Sequence, residues 1–146
     1  RCAEFHRLAA FLNRCTDSPV GIILSIGLLN ELFKAKWSEN LAGGLLESFG
    51  RLFKKGVTLE VFPWKNRKTG ELVTAENFHA PENCKHLYQH FVENGRIRAI
   101  PCESDALLAF TSRDVSRMIQ QDNPQWRELV PEKAWNIAKR QAKISA

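Results

Sequence analysis

Apolar residues recur along this chain with two alternating periods, one near 3.6 and one near 2. Residues 1–14 place Phe5, Leu8, Ala9, Phe11 and Leu12 at helical spacing, with Arg1, Glu4, Arg7 and Arg14 between them. That pattern predicts an amphipathic surface helix. Thr16-Asp17-Ser18-Pro19 breaks it. Val20 to Ile26 is apolar on both alternating faces and predicts a buried strand. Gly27 then allows a turn, and Leu28 to Trp37 reads as a short helix.

A helix–glycine–strand–proline unit follows twice. The first copy has an apolar stripe over Leu45 to Phe53, then Gly56, Val57 to Phe62 and Pro63. The second runs Cys84 to Val92, Gly95, Arg96 to Ile100 and Pro101. A helix ended by glycine and followed at once by a strand is the αβ half of a parallel α/β unit. Between the copies, Trp64 to Glu71 reads as a basic turn, with Leu72-Val73-Thr74 as an antiparallel return arm. Asn77 to Glu82 reads as a loop.

Beyond the second copy, Leu107 to Phe110 predicts a further short strand, and Thr111 or Ser112 caps a helix through Gln121. Asp122-Asn123-Pro124 is a break, and Pro131 opens a last helix carrying Ala134, Trp135, Ile137 and Ala138. Together these elements predict an α/β fold: one Rossmann-like, three-layer domain over residues 1–146. Its sheet is short and mainly parallel, with three to five strands flanked by helices. The chain begins at Arg1 and its one methionine is Met118, so the domain is expected to be a processed or excised part of a longer chain.

Composition narrows the partners. Apolar residues make up 44% of 146, enough for a core. No apolar run nears the roughly 18 residues that span a bilayer. The net charge of +5 favours anionic partners, a nucleotide or phosphate first and nucleic acid second. The 13 Trp and Phe residues leave room for a protein partner, or for further domains of the same chain, on an exposed aromatic anchor. Four cysteines without a CxxC pair predict reduced thiols and an intracellular setting.

Strands sharing a direction would open their loops onto one rim, where ligands of parallel sheets collect. The first such loop holds Lys65, Arg67 and Lys68, the second Cys102, Glu103, Ser104 and Asp105, and the third Thr111, Ser112 and Arg113. A helix N-terminus offers unpaired N–H groups to an anion, and arginine grips phosphate with two bonds. The same residues also have simpler roles. Thr111 with Asp114 makes a capping box, and basic hairpins protect sheet edges. Trp64 beside the turn reads as a stacking platform for single strands or as an edge anchor. His86 and His90 have metal-ligand spacing, but Leu87 stands where an HExxH glutamate would be, so they read as exposed helix residues and no metal is assigned. No cofactor and no catalytic residue is assigned either.

Thr111 to Ile119, with Trp126 and Val130-Pro131, resembles the C-terminal part of the nicotinamide- or nicotinate-nucleotide adenylyltransferases. The likeness covers about residues 107–138. It implies a Rossmann-like fold and adenylyl transfer from ATP, with Thr111 and Ser112 as hydroxyl contacts and Arg113 or Arg117 on phosphate. The HxGH signature of that family is absent. The likeness therefore implies either a piece of a nucleotidyl-transfer enzyme or a relative without its catalytic histidines.

Overall fold

The computed structural model describes residues 4–102 and 108–144, and the chain divides into two compact units, Arg1–Cys102 and Glu103–Ala146. The first unit holds α1 (Phe5–Cys15), β1 (Gly21–Ser25), α2 (Ile26–Leu32), α3 (Gly44–Leu52), β2 (Thr58–Phe62), β3 (Trp64–Lys65), β4 (Leu72–Val73), α4 (Lys85–Glu93) and β5 (Ile97–Ala99). The second holds α5 (Ser112–Gln120) and α6 (Trp135–Ile144), joined through short 3-10 turns.

The sheet of the first unit is parallel throughout, in the order β1-β2-β5. Leu59 lies beside Ile22 and Ile97, and Val61 beside Leu24 and Ala99. The two glycine-ended helices therefore deliver neighbouring strands in one direction. At Gly95 (φ 63°) the chain reverses through left-handed backbone. The Arg96 N–H donates to the Phe91 carbonyl and the Gly95 N–H to that of Val92, which closes the helix as a Schellman motif. At the end of α3, two successive residues, Lys55 (φ 53°) and Gly56 (φ 77°), take the left-handed conformation. The basic turn also folds as its spacing requires. Trp64 pairs with Val73 and Lys65 with Leu72, while Asn66 accepts from the Lys68 N–H at 2.9 Å and Gly70 sits at φ 72°.

Aromatic packing joins the helices over this sheet. Phe49 of α3 has its ring 5.0 Å from Phe33, at the end of α2, and 5.0 Å from Phe91 of α4. Phe53 lies tilted 4.7 Å from Phe91, and Tyr88 lies edge-on to Phe33 and Phe78. The Tyr88 hydroxyl donates to the Ala75 carbonyl at 2.5 Å, and burial pushes its phenol pKa up. Together with Leu29, Leu52, Val57, Leu59, Val61 and Ile97, these rings form the core.

Three expectations need correction. Val20 to Ile26 is not buried on both faces. Ile22 and Leu24 point into the core, but Ile23 is 72% exposed. The opposite sheet face, with Gly21, Ser25, Phe62 and Arg98, is open to solvent, and the described helices of this unit cover one face only. The unit thus has two layers. Second, the helix expected over 28–37 starts at Ile26, because Ser25 Oγ accepts from the Leu28 N–H at 3.3 Å and caps it there. It ends at Leu32, and residues 35–37 form a separate 3-10 turn. Third, Leu108 and Ala109 form a turn rather than a strand, and Leu107 lies outside the described residues. Leu108 and Ala109 join none of the described strand ladders. The third parallel strand is β1.

In the second unit, Trp126 is buried and meets Trp135 edge-on at 5.8 Å. The Trp135 indole N–H donates to the Val130 carbonyl at 2.9 Å. Gln120 ties α5 to α6 by donating to the Ala142 carbonyl at 3.0 Å.

Core and open face should respond differently to truncation. Phe49→Ala is expected to cost about 3–5 kcal/mol and Ile23→Ala about 0.5 kcal/mol or less, read from urea unfolding of the two variants. Equal losses would mean that the open face is covered in solution.

Candidate functional site

The residues singled out from sequence fall into two groups. Lys65, Arg67 and Lys68 belong to the β3–β4 hairpin, which follows β2 at the carboxyl edge of the sheet; Lys65 is half-buried and the other two are exposed. Thr111, Ser112 and Arg113 belong to the start of α5 in the second unit, and Arg117 to its last turn. Of the Cys102–Asp105 loop, residues 103–105 lie outside the described residues.

At α5 the capping box is complete. The Thr111 N–H and hydroxyl both donate to Asp114 Oδ2, at 2.8 and 2.6 Å, and the Asp114 N–H donates back to Thr111 Oγ1 at 3.3 Å. The carboxylate of Asp114 thus occupies the positive end of this helix dipole. A cavity of about 370 Å³ adjoins it, lined by Phe110, Thr111, Ser112, Val115 and Leu129 among others, and neither Arg113 nor Arg117 reaches it. Arg117 faces Asp114 at 4.0 Å instead. His86 and His90 are exposed on α4, and Cys15, Cys84 and Cys102 are free thiols.

A denser concentration of charge lies in the first unit, where α1 crosses the C-terminal end of α3. A cleft of about 480 Å³ opens there. Its walls are Arg7 and Arg14 from α1, Arg51 from α3, and Lys54 and Lys55 from the turn into β2, with His6, Ala10, Asn13 and Leu41 between them. Five arginine and lysine side chains line it, and among the described residues no carboxylate does.

Local chemistry builds these walls. Spacings of three and four put Arg7, Ala10 and Arg14 on one stripe of α1, and the small Ala10 keeps the cleft open. Asn13 stitches its two sides together. Its side-chain amide donates to the Lys54 carbonyl at 3.3 Å, and Lys55 Nζ donates to the Asn13 carbonyl at 3.4 Å. Glu47 does the same within α3. It accepts from the Gly43 N–H at 2.8 Å and pairs with Arg51 at 2.6 Å. The Gly43 bond first, and Arg51 after it, hold the Glu47 carboxyl below the usual carboxylate range. Glu4 pairs with Arg7, and Asp17 lies 3.8 Å from Lys55. Arg14 packs over Phe11 at 5.9 Å, and neither it nor Lys54 has a carboxylate partner among the described residues.

His6 is the one buried titratable group of the cleft, 6% exposed, with Nδ1 3.3 Å from Ser48 Oγ. Burial lowers its pKa below the ordinary 6.5. Among the smaller effects, Glu4 and Glu47 raise it while Arg51 and Arg7 lower it.

Arg14 at the end of α1, and Arg51, Lys54 and Lys55 at the end of α3, each suit a helix C-terminus, where the dipole is negative. With Arg7, the five cations around one cavity repel one another, and an anion in the cleft would relieve that repulsion. Sequence reasoning passed over this site because its two halves lie about forty residues apart. The signals were the basic run Arg51-x-x-Lys54-Lys55 behind a helix and the Arg7/Arg14 pair on another. Neither points to the other until α1 packs on α3.

The lowered pKa of His6 makes stability depend on pH in a definite direction. Between the folded pKa and 6.5 the unfolded chain binds more protons, so stability falls as pH drops through 6.5 toward the folded value. The wild-type protein should therefore lose stability relative to His6→Gln on going from pH 7.5 to 5.5, measured as the difference in urea midpoints. A constant difference would place His6 in a solvated setting.

No family model, no curated protein and no solved structure matches this chain.

Proposed function

We propose that this chain is an α/β domain that binds a small phosphate-bearing ligand, with a nucleotide as the class its sequence points to, in the cleft between α1 and the end of α3. The observation that carries this reading is the ring of Arg7, Arg14, Arg51, Lys54 and Lys55 around a cavity without a lining carboxylate. The cavity volume of about 480 Å³ falls in the range of small-ligand sites. Ala10, Leu41 and the aliphatic stems of the basic side chains supply apolar wall for the body of a ligand.

The cleft sits at the amino edge of the sheet, since Lys54 and Lys55 lead directly into β2. In open parallel sheets of the Rossmann type, ligands sit beyond the carboxyl ends. The cleft is therefore distinct from a Rossmann crevice. A Rossmann-like relationship is supported separately, by the consecutive parallel order β1-β2-β5 and by the glycine-ended helices. The likeness to adenylyltransferases rests on Thr111, Ser112, Arg113 and Arg117, and supports nucleotides as the ligands to try first. In that reading the domain is one part of a nucleotidyl-transfer enzyme. The Lys65–Lys68 hairpin favours a second reading, in which nucleic acid lies across the basic turn; binding there would weaken steeply with salt.

Thermal unfolding in the presence of ATP, AMP or inorganic tripolyphosphate tests the proposal. At about 100 times Kd a ligand adds about 2.7 kcal/mol, a rise of several degrees for a domain of this size. Arg14→Glu and Lys54→Glu, which break no ion pair with a described carboxylate, should abolish the rise, and Arg113→Ala should leave it intact. If no phosphorylated compound stabilises the protein, or if the reversals leave the effect unchanged, the cleft is not the site.

A further inference from the structure

Resting on the phosphate-cleft reading, we propose that His6 is the proton-linked contact of that ligand: the imidazole takes up a proton from solvent as the phosphate binds. The geometry sets this up. His6 lines the cleft, and its Nδ1 is turned to Ser48 Oγ at 3.3 Å, which leaves Nε2 as the ring nitrogen for a ligand. Its burial separates it from the other three histidines. His79, His86 and His90 are all exposed and none lines the cleft.

The groups that face this ring come from each element around it. Arg7 lies on α1 with Glu4 at its N-cap, and Glu47, Ser48 and Arg51 lie on α3. Lys54 and Lys55, from the turn into β2, line the same cleft, and Leu41 adds no charge. The two carboxylates are engaged with Arg7 and Arg51. Burial of the ring, with Arg51 and Arg7 nearby, therefore favours the neutral imidazole when no anion contacts it. A bound phosphate brings up to two negative charges and three acceptor oxygens. It reverses the field at Nε2 and accepts a hydrogen bond from it. Binding and protonation then support each other, and by linkage each strengthens the other by the same factor.

The imidazole resonances report this directly. NMR titration of the four histidines from pH 5 to 8.5, with and without saturating tripolyphosphate at matched ionic strength, should raise the pKa of His6 by about one unit, a ten-fold gain in proton affinity. His79, His86 and His90 serve as internal controls and should stay within a few tenths. The ratio of wild-type to His6→Gln affinity for tripolyphosphate should grow about three- to six-fold from pH 8 to pH 6 and approach ten-fold at lower pH, a ratio in which the titration of the ligand itself cancels. Should His6→Gln fail to fold, the wild-type titration decides alone. If tripolyphosphate raises the unfolding temperature but leaves the His6 pKa unmoved, the proton-linked role is overturned and the phosphate cleft stands. If it neither stabilises the protein nor moves any histidine resonance, both are overturned.

Discussion

The packing of Phe49 between Phe33 and Phe91 is the contact on which the first unit depends. It fixes α3 against α4 and against the end of α2, all on one side of the sheet. With α3 fixed, Leu52 is carried into the core, and Arg51 is turned toward α1 on the facing side. Aromatic rings at these separations contribute both buried area and a preferred orientation. The charged cleft is thus a consequence of an apolar contact on another face of the same helix. Ala9 completes the arrangement. Fully buried and small, it lets α1 settle closely on α3 and so sets the spacing between the two rows of cations.

One-sided burial is the second constraint. Parallel sheets are ordinarily covered on both faces, yet Ile23 and Phe62 are exposed here. The row Ile23, Glu60 and Arg98 runs across the open face in register, and Arg98 lies 4.0 Å from Glu60. Thr58 donates to the same carboxylate at 3.0 Å. A polar central strand and a charged edge strand make this face tolerable in water without a second helical layer, although β1 alone reads as a strand buried on both sides.

Charge is organised in opposite ways at the start of α5 and at the junction of α1 and α3. At α5 the positive end of the dipole is met from within the chain by Asp114. At the junction of α1 and α3, the available carboxylates sit outside the cleft and orient its arginines from behind. Glu47 holds Arg51, and Glu4 holds Arg7. A carboxylate behind an arginine aims the guanidinium and leaves its remaining donors forward. It is this difference in placement, rather than the number of basic residues, that singles out the cleft.

Local rules were legible in the sequence, and long-range ones were not. Gly56 and Gly95 marked the helix ends because only left-handed backbone leads from these helices into their strands. Asn66 and Gly70 marked the basic hairpin, and Thr111 with Asp114 marked a cap, since each motif closes within a few residues. The open face of β1 was hidden, because alternating apolar residues report how much a strand can bury and not what is there to bury it. Leu108 and Ala109 carried strand-like residues but had no ladder to join. The cleft was hidden for the same reason. Its cations come from residues 7–14 and 51–55, and only the fit of Ala9 and Phe49 in the folded core brings those stretches face to face.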